Sequence, residues 1–457
     1  MDYEHIYKWL HIIEAFGENS PVIIVMSKYR ERNDDLNMSD LRKRFPQIVE
    51  FVKVDSKDGH GIKELKDQIS EIAWKLPQMN EPWPSSWVKV RTKLESETRK
   101  WIKYNEYLKL CEEEKIEKDG AETLCNYLHD LGIILCFRDN MLLKNIVIRD
   151  PEWATDAVYK ILDTQSVKDR DGVLQHTELN KIWNSDIYPE NVYAMLLELM
   201  NRFELAYELP DKQSHLVAEL LPKTEPVFDW NENSNLKFFY KYDFLPAGII
   251  TRFIVRTHEE LEFKEDGKHL CWREGAMLSR DGARAFVKQW TNEKCIEIKI
   301  DGSDKSKREL LSIIRYHFDR INKSIKKVKI TKEIPCNCSD DCPKKWDYDN
   351  LIKLERKNIA EIICDATGEK VSIQLLLDGY ESFWERQKKD KENEQYIERG
   401  FEPKIDKEKT IEKQVEKKDK SFFSIFWKII LGLIVLIGGI WTVIQIIESD
   451  TFKELIQ

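Results

Sequence analysis

Pro21 opens the run Val22-Ile23-Ile24-Val25-Met26, five residues without a polar member, and no other stretch restricts the fold as tightly. A strand with one wet face alternates apolar and polar side chains. A run without alternation belongs in a sheet covered on both faces, as parallel strands are. Its surroundings agree. Tyr3, Ile6, Leu10 and Ile13 recur at helical spacing before it and stop at Gly17. Phe51-Val52-Lys53-Val54 reads as a second short strand. After Gly59 and Gly61, Ile62, Leu65, Ile69, Ile72 and Leu76 line one stripe of a helix that Pro77, Pro82 and Pro84 end. Helix, strand, helix, strand, helix is the rhythm of an open α/β sheet.

The later sequence changes character, and 457 residues exceed what one core holds, so several domains follow. The stretch 85–232 reads as mostly helical, with one interruption: helices near 105–115 and 120–131, then apolar runs at 132–137 and 145–148. Two helices followed by a hairpin are compatible with a winged helix. From 236 to 300 the pattern turns β-rich, with strands expected at Leu236–Tyr242, Thr251–Arg256, Cys271–Arg273, Ala285–Trp290 and Cys295–Ile300. Leu310, Ile314, His317 and Ile321 then align on a helix over 306–322. Residues 385–420 hold 12 Lys/Arg and 11 Asp/Glu with few bulky apolar positions, a charged stalk that cannot bury a core.

Four phrases carry a family resemblance: Leu131-Gly132-Ile133-Ile134-Leu135, Asp150-Pro151-Glu152-Trp153-Ala154, Phe203-Glu204-Leu205, and Tyr242-Asp243-Phe244-Leu245-Pro246-Ala247-Gly248-Ile249-Ile250-Thr251-Arg252-Phe253. In this order they resemble the COR domain of Roco proteins, where COR follows a Ras-like GTPase domain called Roc. The resemblance implies a multidomain α/β and α+β fold. Residues 1–79 would be the C-terminal remnant of Roc, a truncated Ras-like α/β unit. A helical, winged-helix-like COR-A would fill 80–235, and a β-rich COR-B 236–325. Residues 326–384 would form a small cysteine-rich module, followed by the stalk at 385–421, a transmembrane helix at 422–447 and a short tail at 448–457. The resemblance further implies homodimerisation through COR-B, which in complete relatives brings two GTPase domains together.

Nucleotide motifs can be checked against that expectation. The guanine-reading Asn-Lys-x-Asp maps onto Ser27-Lys28-Tyr29-Arg30, where Lys28 remains but Arg30 offers no acceptor to the base. Ser-Ala-Lys maps loosely onto Asp55-Ser56-Lys57. Ser27, Lys28, Ser56 and Lys57 are therefore the remnant of a nucleotide site. No Gly-x-x-x-x-Gly-Lys-[Ser/Thr] occurs, and the phosphate-binding part of Roc is expected upstream of Met1, so GTP with Mg²⁺ is not expected on this chain alone. No catalytic residue is assigned. Kinase motifs are absent, Glu112-Glu113-Glu114 reads as a solvated helix face, and the histidines stand at no ligand spacing. Two roles follow: a scaffold without its own P-loop, or one part of a split GTPase completed by an upstream Roc-containing polypeptide.

Cys336-x-Cys338-x₃-Cys342 lies in a Pro/Asn/Asp-rich loop, with Cys364 following 22 residues later. Four thiolates converging would make the tetrahedral S₄ site that suits structural Zn²⁺; free thiols or redox chemistry are the alternatives. Cys111, Cys125, Cys136, Cys271 and Cys295 sit among apolar neighbours and read as core. Nine cysteines in so long a chain make no disulfide scaffold. Nucleic acid is not an expected partner. The chain holds 73 basic against 82 acidic residues, net −9, and the second helix of the candidate winged helix, Ala121–Leu131, has no Lys or Arg. The sequence begins Met1-Asp2-Tyr3-Glu4, without the signature of a signal peptide. Ile429–Ile447 is long and apolar enough to cross a bilayer, with seven lysines over 402–421 against Lys453 alone beyond it. That predicts a single-pass, tail-anchored membrane protein with its bulk cytoplasmic and its short C-terminal tail on the opposite side.

Overall fold

A computed structural model describes residues 3–17, 19–28, 37–76, 82–232, 235–264, 267–325, 327–384 and 386. The chain divides into two compact units, one running to Pro151 and one beginning at Glu152.

The first unit opens with α1 (Tyr3–Gly17), β1 (Val22–Met26), α2 (Met38–Arg44), β2 (Ile48–Lys53) and α3 (Ile62–Trp74). β1 and β2 pair in parallel, with Ile24 opposite Phe51 and Met26 opposite Lys53. Val22, Ile24 and Met26 pack with Leu10, Leu41 and Phe45 from α1 and α2, whereas Ile23 and Val25 pack with Leu65 and Ile62 from α3. Helices on both faces explain why β1 carries no polar residue. Then come α4 (Ser85–Ser96), β3 (Trp101–Lys103), α5 (Tyr104–Glu113), α6 (Lys118–Asp130), β4 (Leu135–Cys136) and β5 (Ile146–Ile148). β3 completes a three-stranded sheet of order β3-β5-β4 beside the two expected helices. Tyr107, Cys111, Leu124, Cys125 and Leu128 are fully buried, and the Tyr107 hydroxyl donates to the Ala121 carbonyl at 2.7 Å, locking α5 to α6.

The second unit begins with α7 (Pro151–Asp163), the single turns α8 (Gln165–Lys168) and α9 (Leu179–Ile182), and α10 (Tyr193–Arg202). Here the expectation of one interruption in a helical region needs correction: β6 (Val173–Gln175), β7 (Ala206–Glu208) and β8 (Ser214–Val217) form a second three-stranded sheet of order β6-β8-β7. Each of its strands is three or four residues long, too short for alternation to register in the sequence.

A seven-stranded antiparallel sheet follows, built from β9 (Leu236–Tyr242), β10 (Cys271–Trp272), β11 (Gly275–Arg280), β12 (Ala283–Trp290), β13 (Cys295–Asp301), β14 (Ile330–Pro335) and β15 (Lys345–Asp347). Its order is β10-β11-β12-β13-β9-β14-β15. The strand expected at Thr251–Arg256 is instead part of the helix α11 (Ile249–Arg256). β-branched residues misled the reading. Gly248, at φ 83°, turns the chain into the helix, whose residues Ile249 to Val255 are all buried.

α12 (Asp304–Lys323) lies against the sheet through Leu310, Leu311, Ile314, Phe318 and Ile321. Phe318 stacks on Phe253 of α11 at 4.2 Å, and the Tyr240 hydroxyl of β9 donates to Asp319 at 3.0 Å. Because β14 pairs with β9, the cysteine-bearing segment continues this sheet rather than standing apart. It ends in α13 (Tyr348–Arg356), the hairpin β16 (Glu361–Ile363) and β17 (Lys370–Ser372), and α14 (Ile373–Asp378). Arg386, buried, closes the pair with Glu355 at 2.7 Å and Asp378 at 3.0 Å.

The prediction of a single-pass membrane protein requires correction. No described helix is long and apolar enough to cross a membrane. Residues 422–447 lie outside the described residues, as do the stalk beyond Arg386 and the tail.

Candidate functional site

The turn between β14 and β15 and the turn between β16 and β17 meet through sulfur. The ligand atoms of Cys336, Cys338, Cys342 and Cys364 all lie within 4.8 Å of one another, with Cys336 to Cys338 at 3.4 Å and Cys342 to Cys364 at 3.6 Å. The sequence explains the folding back. Cys336 follows Pro335 at the end of β14, its N–H donating to the Lys344 carbonyl at 2.9 Å, and the Cys342 N–H donates to Ser339 at 3.2 Å. In the second turn the Cys364 N–H donates to Glu369, and Gly368, at φ 75°, returns its own N–H to the Cys364 carbonyl at 2.7 Å.

The local fields are uneven. The Thr367 hydroxyl holds the Cys364 thiol down to about 6, assisted by the Ala366 and Thr367 backbone amides, and it lowers Cys338 too. Burial raises Cys336. The Lys344 amide favours a Cys342 thiolate, yet burial and the surrounding thiols push that group up to about 12. All four are free thiols, as are the five cysteines read as core, and those five are buried.

The four resemblance-bearing phrases include a pair that meets in space. Glu204, from Phe203-Glu204-Leu205, closes α10 in the left-handed region at φ 57°, where the Leu205 N–H reaches back to the Met200 carbonyl at 2.9 Å. Its carboxylate accepts from Arg252 Nε at 2.6 Å and also pairs with Arg256, both on α11. Burial alone would raise the Glu204 carboxyl, but the two guanidiniums outweigh it and hold it below the ordinary range. One hydroxyl away, Thr251 donates to Glu219 at 2.5 Å.

The four residues expected as a nucleotide-site remnant lie on the first unit. Ser27 and Lys28 follow β1, and Ser56 and Lys57 follow β2. Parallel pairing therefore brings both loops to the same end of the two strands. Lys28 is exposed with φ 55°, and the Lys57 N–H caps Asp55 at 3.1 Å. Arg30 lies outside the described residues. Sequence reasoning missed one histidine pair: Nε2 of His176, the residue after β6, and Nδ1 of His215 on β8 are 2.8 Å apart. Thirty-nine residues separate them, so only the strand register could have found them.

Comparison with known proteins fits this anatomy. Residues 84–221 match the family described as C-terminal of Roc, COR-A domain, and residues 233–379 match C-terminal of Roc, COR-B domain. A Roc-COR-CHAT protease of Runella zeae is 25% identical over 379 residues, covering 78% of this chain and 40% of that protein. A probable serine/threonine-protein kinase of Dictyostelium discoideum, pats1, is 27% identical over 331 residues, covering 65% of this chain and 10% of that protein. The solved structure of Methanosarcina barkeri Roco2 RocCORdC bound to GDP is 32% identical, covering 48% of this chain and 70% of that one, with a TM-score of 0.41. The chain is a COR-domain protein with COR-A and COR-B in tandem. It belongs to the Roco family.

Proposed function

We propose that this chain works as a scaffold that forms a homodimer through COR-B. The observation that carries the reading is the tandem of COR-A and COR-B, which together fill residues 84–221 and 233–379 and leave no room in them for an enzyme domain. Within the chain, Glu204 at the end of α10 and the arginines of α11 form one largely buried ion cluster that ties this part of COR-A to COR-B. Light scattering on the full chain at tens of micromolar tests the proposal. A dimer without nucleotide is expected, and a monomer overturns it.

A second reading is a GTPase completed by a Roc-bearing segment. The chain spans 40% of the Runella protein, whose name joins Roc and COR in one polypeptide. The remnants Ser27-Lys28 and Ser56-Lys57 end neighbouring parallel strands, which is where such a segment would need them. GTP binding by the purified chain, alone and with a Roc segment from a relative, separates the two. Saturable micromolar binding by the chain alone refutes the scaffold reading, and binding only in the mixture favours the second.

A further inference from the structure

We propose that Cys336, Cys338, Cys342 and Cys364 hold one structural Zn²⁺ ion that staples the β16–β17 hairpin to the edge of the seven-stranded sheet. Zinc–thiolate bonds of about 2.3 Å in a tetrahedron place the sulfurs roughly 3.8 Å apart. The four sulfurs here lie within 4.8 Å of one another, with two pairs at 3.4 and 3.6 Å, so they are close enough together to share one ion of that size. Four soft ligands with no carboxylate or imidazole among them select zinc or iron over harder cations.

The backbone is organised around the sulfurs. The Cys338 N–H faces the Cys336 sulfur, the Lys344 N–H faces Cys342, and the Ala366 and Thr367 N–H groups face Cys364. In each case a donor two residues on points at a thiolate, which fixes the ligand's direction as outer-shell hydrogen bonds do around metals. The Trp346 indole N–H is buried without a hydrogen-bond partner, and the Cys336 sulfur is the acceptor it faces. Lys344, which pairs with Asp365 at 2.8 Å, lies near the cluster and offsets part of the negative charge of a tetrathiolate centre.

A second observation is independent of the sulfurs. Over 359–370 the only buried residue is Cys364, while Ile359 and Ile363 are exposed; Val371 is the next buried position. A two-stranded hairpin with so little apolar burial is marginal by itself. Its other links to the β14–β15 turn are weak: the Lys344–Asp365 pair, with Asp365 70% exposed, and a Cys338–Thr367 contact at 3.4 Å. A metal supplies what burial does not. Binding forms four Zn–S bonds to thiolates and releases to solvent the protons that the thiols still carry, with no change of oxidation state.

The test uses the full chain purified under reducing conditions. Elemental analysis is expected to give about one zinc per chain. Cys342→Ser and Cys364→Ser should each lower zinc by about tenfold or more, whereas Cys295→Ser, at a buried core thiol, leaves it unchanged. In case the serine variants misfold, Co²⁺ is exchanged into the unaltered protein, where tetrahedral thiolate bands are expected. Zinc removal should accelerate hydrogen exchange across 361–372 more than across 271–301. Absence of zinc together with absence of the Co²⁺ spectrum, iron in place of zinc, or full zinc in Cys364→Ser each overturns the proposal.

Discussion

Glu204→Gln removes the carboxylate that the guanidiniums of Arg252 and Arg256 share. Glutamine keeps the shape and one acceptor oxygen but places an uncharged amide against Arg252 and Arg256, whose side chains are 9% and 19% exposed. Arg252 keeps a 3.3 Å contact to the Ser324 hydroxyl, too weak to replace a carboxylate. Breaking one side of a buried ion cluster costs about 3–5 kcal/mol, because the remaining charge stays desolvated. Domains are stable by only about 5–15 kcal/mol, so the loss is a large share of the whole. With a urea slope of about 2–3 kcal/mol per molar, the midpoint should fall by roughly 1–2 M. Urea denaturation of the full chain, followed by tryptophan fluorescence, measures it. Glu204→Gln/Arg252→Gln should cost less than the sum of the two single changes by about 1.5 kcal/mol or more, since removing both partners strands one charge fewer. If Glu204→Gln lies within about 0.5 kcal/mol of the parent with an unchanged slope, the cluster is solvated and the argument fails. The sign with pH is fixed by the lowered carboxyl: its stabilisation is present above the unfolded value near 4.5 and lost as pH falls through the lower folded one.

Gly275→Ala should cost about 1–3 kcal/mol in the same assay, because a Cβ there would stand 2.2 Å from Trp272 Cζ2 and 2.6 Å from the Val287 carbonyl of the paired strand. His215, pushed down to about 4 by burial and then by His176, binds its proton later than an unfolded histidine near 6.5. Stability should therefore fall as pH drops from 6.5 to 4, by up to about 3 kcal/mol from this residue, and His215→Asn should flatten that slope in a series of denaturation midpoints.

What could be read in the sequence was whatever left a periodic or compositional trace. β1 was legible because helices cover both its faces, and α12 because its buried residues recur at helical spacing from Leu310 to Ile321, about three turns. The grouping of four cysteines was legible from type and spacing, although nothing in the spacing said that Cys364 would arrive by way of a second hairpin. α11 was misread because Thr251, Ile254 and Val255 favour a strand by themselves, and packing against α12 overrode that preference. β11, absent from the expected strands, begins with Gly275 and Ala276, neither of them a strand former, and Gly275 is held small by Trp272. The Glu204 cluster was invisible for a different reason. Its members lie 48 and 52 residues apart, and a single charged residue after a helix has the same appearance whether it is solvated or buried.

The parallel pair β1–β2 yields the sharpest local expectation. The Val22 N–H donates to Gln47 and the Met26 carbonyl accepts from Val54, so the even-numbered residues of β1 bond to β2. Peptide groups alternate along a strand, which points the N–H groups of Ile23 and Val25 away from β2. No described strand pairs with that side. Helices α1 to α3 pack against the side chains of β1 but cover faces, and a face contact gives the edge amides no acceptor among the described residues. In hydrogen exchange on the full chain alone, Ile23 and Val25 should exchange far faster than Ile24 and Met26, and faster than Val287 or Ile298 inside the seven-stranded sheet. Adding a Roc segment able to extend the sheet should slow Ile23 and Val25 selectively. If those two amides are already as protected as Ile298 in the isolated chain, the edge is paired and the α/β unit is complete without a partner.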